Sequence, residues 1–255
     1  GTFTTVSSQT RNRIAALDLN ATSSPYTTSW NPNITAPTGV TANVNAIAVS
    51  ADGTLVYAGG TFTTVGSLTR NNFARISASS GVADSFDPVC SSTVKTILTD
   101  LNYVAAGGDF NSVNGYLRHR LAQIDLSTGE ATSFNPNITI SSGTACVYAL
   151  AVYGDTLYFG GAFTAVGGVT RNRLASYDLI SQTLTSFNQN ASGIVISLLI
   201  SNDTLYVGRE FTTIGGQTRN RLAAFDLSTG AVTTFNPDMS GAVYALAIDS
   251  TTLYA

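Results

Sequence analysis

The feature that most constrains this chain is a segment of about nineteen residues that recurs along it. The last copy reads RNRLAAFDLSTGAVTTFNP, and the first copy is longer by three residues. The five copies are Arg11–Pro32, Arg70–Pro88, Arg118–Pro136, Arg171–Gln189 and Arg219–Pro237. A repeat of this period indicates an array of similar structural units rather than one irregular fold.

The spacing inside the repeat is nearly constant. A phenylalanine precedes the first arginine of each copy by eight residues, at positions 3, 62, 110, 163 and 211. An aspartate follows that arginine by seven residues in four copies, and Ser77 replaces it in the second. The length varies mostly after the terminal Asn-Pro, so we expect insertions to lie in loops on one face of the fold.

Each unit predicts four short strands, named a to d. Strand a is nearly continuously apolar, which is typical of a strand buried on both faces. Polar turns then lead into strand b, and strand c carries the Asn-Arg-Leu-Ala motif. A second turn leads to strand d, which ends in an aromatic residue and Asn-Pro. The predicted a strands are Val44–Val49, Val94–Leu98, Val147–Val152, Val195–Ile200 and Val243–Ile248, and the turns after them include Asp100-Leu101-Asn102.

Four strands per unit of about fifty residues, without a helical period, predict an all-β β-propeller. We expect one domain over residues 1–255 with five four-stranded blades. The chain begins at Gly1-Thr2-Phe3 and stops at Ala255, where other copies continue into Gly-Gly. The N-terminal c and d strands would then join the C-terminal a and b strands and close the ring, which removes free sheet edges. The alternative is a five-repeat piece of a longer array.

The motif Gly-Gly-x-Phe-Thr-x-Val-Gly-Gly-x-x-Arg-Asn-Arg-Leu-Ala-x-[Phe/Tyr]-Asp resembles the delta-60 type repeat of large secreted and surface proteins, and also the kelch repeat. Gly161–Asp178 and Phe211–Asp226 follow it almost residue for residue, and the resemblance covers the whole chain. It implies a propeller fold but no particular reaction. One kelch-related oxidase family holds copper with Tyr, His and Cys, and the single histidine of this chain argues against that site.

Composition narrows the function classes. Hydrophobic residues make up 44% of the chain and charged residues 11%, which is ample for a core and argues against disorder. The net charge is −3, and basic residues spread over the repeats do not form a nucleic-acid stripe. No apolar run is long enough for a transmembrane helix. The sequence predicts no catalytic residue, no cofactor and no metal site, since one histidine and two cysteines offer few ligands.

The repeated charged residues have a functional and a structural interpretation. The first arginines could ring an anionic ligand, but a residue present in every unit more often serves the same scaffold contact in each. We therefore predict that they hold backbone carbonyls or the strand-c aspartate. These scaffold residues are Arg11, Arg70, Arg118, Arg171 and Arg219, with Asp18, Asp125, Asp178 and Asp226. The second arginines, Arg13, Arg120, Arg173 and Arg221, lie two residues on, on the same predicted strand face.

Departures from the repeat are the better functional candidates, because the architecture does not require them. Asp109 and His119 occur in the third copy, and Arg209-Glu210 replaces a Gly-x pair in the fifth. If the b–c loops share one face, these four residues could form a polar ligand site there; divergence on solvated loops is the alternative.

Two further sets concern covalent chemistry. Cys90 and Cys146 fall in or beside d–a loops, so a disulfide and two buried thiols are both open interpretations. Asn-x-Ser/Thr sequons occur at Asn20, Asn33, Asn137, Asn190 and Asn202, about as many as chance predicts for this composition.

The sequence thus predicts an extracellular or cell-surface module with a binding, adhesion or structural role and no catalysis. Its partner would be a protein or glycan at the cell surface, not a nucleic acid. The alternatives are a carbohydrate-binding propeller, with one near-identical pocket per blade, and a propeller enzyme. That enzyme would be a quinoprotein-like oxidoreductase or a polysaccharide hydrolase. Trp30, at the strand-d aromatic position, is predicted to be core.

Overall fold

The computed structural model describes residues 1–100 and 102–255, and all of the regular secondary structure in them is β. This confirms the all-β prediction.

The chain divides into two compact units: unit one comprises residues 1–118 and 122–133, and unit two residues 119–121 and 134–255. The predicted turn Asp100-Leu101-Asn102 includes Leu101, which lies outside the described residues. In the described part, no helix has the length and apolarity needed to cross a membrane.

The strands run in chain order through both units. Those up to residue 125 are β1 (Thr5–Val6), β2 (Gln9–Thr10), β3 (Ile34–Thr35), β4 (Asn43–Val49), β5 (Leu55–Thr61), β6 (Thr64–Val65), β7 (Leu68–Thr69), β8 (Phe73–Ser77), β9 (Val94–Thr99), β10 (Tyr103–Gly108), β11 (Ser112–Val113), β12 (Tyr116–Leu117) and β13 (Leu121–Asp125).

Those after residue 125 are β14 (Ile138–Thr139), β15 (Cys146–Tyr153), β16 (Thr156–Ala162), β17 (Ala165–Val166), β18 (Val169–Thr170), β19 (Leu174–Asp178), β20 (Thr183–Leu184), β21 (Val195–Ser201), β22 (Thr204–Arg209), β23 (Thr213–Ile214), β24 (Gln217–Thr218), β25 (Leu222–Asp226), β26 (Ala247–Asp249) and β27 (Thr252–Tyr254).

The long strands form antiparallel sheets in the predicted order a–b–c. Unit one holds the orders β4-β5-β8 and β9-β10-β13, and unit two holds β15-β16-β19-β20 and β21-β22-β25. The pairing of strand a with strand b shifts register near the glycines that end strand b. At the end of the chain, β26 pairs with β27. The number of blades, the closure of the ring and the single domain stay predictions.

Strand d is much shorter than predicted. In most copies it is one bridge, such as Ile76 with Ala83 or Phe225 with Val232, and only β20 extends it to two residues. The reason lies in the residue two positions before the terminal aromatic. Its side chain accepts the backbone N–H of that aromatic, as Thr185 does for Phe187. A side chain that captures the backbone in this way competes with the sheet ladder.

Two local features of the repeat differ from the prediction. Strand c begins one residue after the second arginine, so that arginine does not share a strand face with the first. The Thr-Val-Gly-Gly segment before the first arginine, predicted as a loop, is a hairpin of two-residue strands. Both central glycines of that hairpin have positive φ in the copy at Gly167-Gly168 and the copy at Gly215-Gly216, as a tight antiparallel turn requires.

The prediction that strand a is buried on both faces is wrong for β4. Ala48 faces inward and, like Ile97 of β9, packs against the buried core of unit one. Ile47 and Val49 point to the alternate face and are 54% and 52% exposed. By contrast, β15 buries Val147, Ala149 and Ala151.

The second glycine of the pair at the end of strand b marks a close backbone approach wherever it occurs. A Cβ on Gly161 would lie 2.1 Å from the Cys146 carbonyl oxygen, and a Cβ on Gly108 would lie 2.1 Å from the Thr93 carbonyl oxygen. Real side chains do not tolerate such contacts, so these positions fix how strands a and b meet.

We expect Gly161→Ala to lower the free energy of unfolding by about 1–3 kcal/mol, because the added methyl must push two paired strands apart. The matched control is Gly241→Ala in the same unit, whose Cβ meets nothing within 4 Å. Chemical denaturation of both variants measures the difference. Equal stability of the two variants would contradict the close approach.

Candidate functional site

The side chain of the first arginine in every copy connects the residue before it to strand d. One Nη donates to the carbonyl of the preceding residue and the other to a carbonyl of strand d; in Arg171 these distances are 2.9 and 3.0 Å. The sets are Arg11 with Thr10 and Thr28, Arg70 with Thr69 and Asp84, Arg118 with Leu117 and Thr132, Arg171 with Thr170 and Thr185, and Arg219 with Thr218 and Thr233.

The distance along the chain shows that this contact is architectural. The strand-d acceptor lies fourteen residues after the arginine in four copies and seventeen after it in the first. The first copy is longer by three residues, so its arginine binds the structurally equivalent carbonyl despite the insertion. A guanidinium that donates in a planar fork to two carbonyls has fewer donors left for an anionic ligand.

The backbone of the second arginine adopts the left-handed conformation. Arg13, Arg120, Arg173 and Arg221 have φ between 65° and 71°, and Asn72 has 65° in the second copy. Non-glycine residues rarely adopt this left-handed conformation, and it persists only where the surroundings determine it. The side chain supplies such a constraint, because Arg221 donates to the Met239 carbonyl at 2.7 Å and Arg173 to the Ala191 carbonyl at 2.9 Å.

The strand-c aspartates close the turn between strands c and d. The carboxylate of Asp125 accepts the backbone N–H of Ser127 and of Thr128, both at 2.9 Å, and also their hydroxyls. These hydrogen bonds, with the Ser127 hydroxyl first, lower the pKa of Asp125 to about 2. Asp178 and Asp226 bind the equivalent turn residues, which lowers the pKa of both. Asp18 accepts the N–H of Asn20.

Two of the four candidate ligand residues, Asp109 and His119, lie in the third copy. Asp109, in unit one, accepts a hydrogen bond from the Ser92 hydroxyl at 3.2 Å. His119, in unit two, is half-buried and stands where other copies have the asparagine of Arg-Asn-Arg. That asparagine makes a scaffold contact: Asn220, for example, donates to the Asp238 carboxylate at 2.6 Å. His119 is therefore a substitution at an architectural position.

Arg209 and Glu210, in unit two, lie together at the end of β22. The Arg209 guanidinium lies 3.3 Å from the Glu210 carboxylate and 4.4 Å from the ring centroid of Tyr244. Arg209 occupies the place of the second glycine of the pair, and its φ of 155° lies in a region that L side chains rarely adopt. The convergence of all four candidates on one face stays a prediction.

Of the two open interpretations of Cys90 and Cys146, the structure has the buried thiols and not the disulfide. Cys90 stands two residues after the Asn-Pro position, where other copies have the buried Ile34 and Ile138. It pairs with Val113 and packs in the core of unit one, and burial raises its pKa to about 12. The cysteine thus replaces a core aliphatic residue.

The five sequons divide by backbone role. Asn33, Asn137, Asn190 and Asn202 have positive φ, so asparagine is favoured there by turn geometry alone. The side chains of Asn33 and Asn190 also accept hydrogen bonds, from Asn12 and Asn172. Asn20 is exposed after strand c. Use of these sites for glycosylation stays a prediction.

A feature that the sequence did not indicate is a neutral polar cleft in unit two. It has a volume of 380 Å³ and lies between Tyr158, Ser176, Thr185 and Phe187 on one side and the turn Leu227–Gly230 on the other. The Tyr158 ring meets Phe187 edge to face, with centroids 5.4 Å apart. The signal that could have found it is the tyrosine of strand b, which recurs at 57, 158, 206 and 254.

Clusters suited to metal binding do not occur in the described ranges: no group of three or more His, Cys, Asp or Glu side chains is placed to hold an ion. Trp30 lies in the core as expected, 7% exposed, and its Nε1 donates to the Ser77 carbonyl at 2.8 Å.

Two family models match the chain. The model of the Rax2 C-terminal beta propeller domain matches residues 121–254, and a beta-propeller domain of unknown function, DUF5122, matches residues 50–86. None of the curated proteins compared with the chain matches it.

Solved structures give the same architecture. The RRP9 WD40 repeats share 12% identity over 82% of this chain and 55% of theirs, with a TM-score of 0.55. The structure of U3-55K gives the same identity and TM-score over 82% of this chain and 56% of its own. The chain spans just over half the length of these two proteins. At this identity the likeness shows the fold alone.

The turn aspartates predict acid sensitivity. The folded-state pKa of Asp125 is about 2, below the value of about 3.9 for an unfolded chain, so its stabilising effect is complete above pH 4 and is lost as the pH falls towards 2. We expect the melting temperature to fall over this window and Asp125→Asn to make the fall shallower. Asp155→Asn is the control, because Asp155 is an exposed turn residue whose carboxylate has no hydrogen bond among the described residues. Calorimetry from pH 5 to 2 measures both; parallel curves for wild type and Asp125→Asn would contradict the turn assignment.

The backbone of Arg209 predicts a stability difference between two substitutions. Arg209→Gly and Arg209→Ala both remove the contacts with Glu210 and Tyr244, but only glycine relieves the backbone. We expect the glycine variant to be more stable than the alanine variant by about 1–3 kcal/mol in chemical denaturation. If alanine proves equal or better, the backbone at this position is not strained.

Proposed function

The chain belongs to the family of the Rax2 C-terminal β-propeller domain, and from that premise we propose that it is a non-catalytic module at the cell surface or outside the cell. Propeller domains of this kind suggest a binding or structural role. We include in this proposal five blades in a closed ring and membership of the delta-60 type of repeat. The fivefold repetition of one motif supports both of these finer assignments.

The observation that carries the proposal is the use of the repeated charged groups. The guanidinium forks donate to backbone carbonyls, and the carboxylates of Asp125, Asp178 and Asp226 accept backbone N–H groups of their own turns. General acid–base catalysis at neutral pH favours a pKa near the working pH. These carboxyl groups have their pKa lowered away from it, so the most abundant carboxylates of the repeat serve the scaffold.

The extracellular location is supported by composition. The chain has a single lysine and is rich in threonine, serine and asparagine. The partner that we propose is a protein or a glycan of the cell surface, because the basic residues are spread along the repeats in the sequence and a nucleic acid favours a clustered basic stripe.

The proposal is tested on intact cells of the organism that makes the protein. An antibody against this segment should label intact cells as strongly as it labels permeabilised cells. Labelling that requires permeabilisation would contradict the surface location. An antibody against a cytosolic protein of the same cells is the control for intactness.

The same purified chain is then assayed for turnover. We expect no hydrolysis of polysaccharides and no dye-linked oxidation of sugars or alcohols above the level of a heat-denatured sample. Turnover that rises in proportion to native protein would overturn the non-catalytic assignment.

A further inference from the structure

The tyrosine of strand b has the same setting in three sheets. Tyr57, Tyr158 and Tyr206 each meet the strand-d phenylalanine of their own copy edge to face, at centroid distances of 6.3, 5.4 and 5.8 Å. Because this pairing repeats, the residue that stands beside the tyrosine on strand c decides what the surrounding space can hold.

In unit one that residue is Arg75, opposite Tyr57 in the register of β5 and β8. Its Nε lies 2.7 Å from the Asp84 carboxylate, its Nη1 donates to the Leu126 carbonyl at 2.9 Å, and its guanidinium carbon stands 4.3 Å from the Phe86 centroid. The cleft that remains has a volume of 280 Å³ and is lined by charged groups, Arg75 among them. The arginine fills the place beside the tyrosine.

In unit two the residue opposite Tyr158 is Ser176, in the register of β16 and β19, and the residue opposite Tyr206 is Ala224, which has no polar group. The Ser176 hydroxyl is hydrogen-bonded to the Thr185 hydroxyl at 2.5 Å, where unit one has the Arg75–Asp84 ion pair. Both members of the pair are short, so the space beside Tyr158 stays open. The resulting cleft of 380 Å³ falls within the range of about 300–1,000 Å³ that is usual for small-molecule sites.

The side chains that line this cleft are uncharged. Hydroxyls come from Thr156, Ser186 and Thr229 and amides from Asn188 and Gln189, while no Asp, Glu, Lys, Arg or His side chain of the described residues lines it. Tyr158 is buried, with 6% of the residue exposed. The Tyr158 hydroxyl has no hydrogen-bond partner among the described residues. Gln189 Nε2 already donates to the Gly230 carbonyl, and the Thr229 hydroxyl accepts the Ala231 N–H. The cleft therefore offers a ligand the hydroxyls of Thr156 and Ser186 and the amide of Asn188, beside two aromatic rings.

We propose that this cleft binds one residue of a neutral sugar. A sugar ring presents hydroxyls that both donate and accept, which suits a wall of hydroxyls and amides, and C–H groups that suit an aromatic edge or face. A charged ligand would lose hydration without finding a counter-charge in the cleft. The inference rests on the proposed function, since it takes the chain to be a binding module and gives its ligand class.

This site differs from the carbohydrate-binding alternative raised by the sequence. That alternative requires a near-identical pocket in each blade, whereas the clefts beside Tyr57 and Tyr158 differ in charge and volume. The proposal is one site in unit two, created where the copies disagree.

The test exchanges the two clefts. Saturation-transfer NMR of the whole chain is run with methyl glycosides of glucose, galactose, mannose and N-acetylglucosamine, and with methyl glucuronide as the anionic comparison. We expect transfer to at least one neutral glycoside and none to the glucuronide. The double variant Ser176→Arg/Thr185→Asp, which copies the Arg75–Asp84 pair into unit two, should abolish the transfer.

Two further variants keep the test decisive. Tyr158→Phe removes only the hydroxyl and should weaken the affinity about tenfold, the loss of about 1.4 kcal/mol that one hydrogen bond can contribute. The converse exchange in unit one, Arg75→Ser/Asp84→Thr, should not reduce sugar binding, because it leaves the cleft beside Tyr158 intact. Each variant is first shown to melt cooperatively.

The outcomes separate this inference from the proposed function. No transfer to any neutral glycoside, or transfer that survives both the exchange and Tyr158→Phe, overturns the site and leaves the non-catalytic module untouched. A stronger response to glucuronide overturns the assignment to neutral ligands. Release of methanol or free sugar in the same spectra overturns the proposed function, while the exchange variant still decides whether the ligand occupies this cleft.

Discussion

The interaction on which each repeat depends is the arginine fork between two backbone carbonyls. Hydrogen bonds with a charged donor contribute about 1.5–3 kcal/mol each, roughly twice the value for neutral pairs. The fork joins the end of the short hairpin to strand d, which has almost no sheet pairing of its own. Strand d is thus held by a side chain where other sheets would use a ladder. The fork also explains why the arginine is present in all five copies.

Sequence reasoning identified this scaffold because the Arg-to-Asp spacing is a property of the chain itself. The spacing placed strand c, its turn and the aromatic end of strand d in the right order. The all-β class and the membership of a propeller family agree with that interpretation. The aromatic at Trp30 also lies in the core as its position in the repeat indicated.

Other features could not be found in this way, because they depend on contacts between distant residues. The left-handed backbone of Arg173 is determined by a carbonyl eighteen residues away. The shortness of strand d follows from a hydroxyl that captures a backbone amide. Cys90 could be recognised as core only by aligning it with Ile34 and Ile138 across the d–a loops. The cleft beside Tyr158 required the register of strands b and c, since only then does Ser176 correspond to Arg75.

The fork has a consequence for the order in which the chain acquires structure. In four copies its two ends are only fourteen residues apart, so closing this loop costs little chain entropy compared with any contact between sheets. Contacts this local form early in folding. During synthesis, a c–d hairpin can therefore be complete as soon as its own residues have left the ribosome, before the next copy has been translated. Early closure within one copy limits the chance that strands from similar copies pair in the wrong combination.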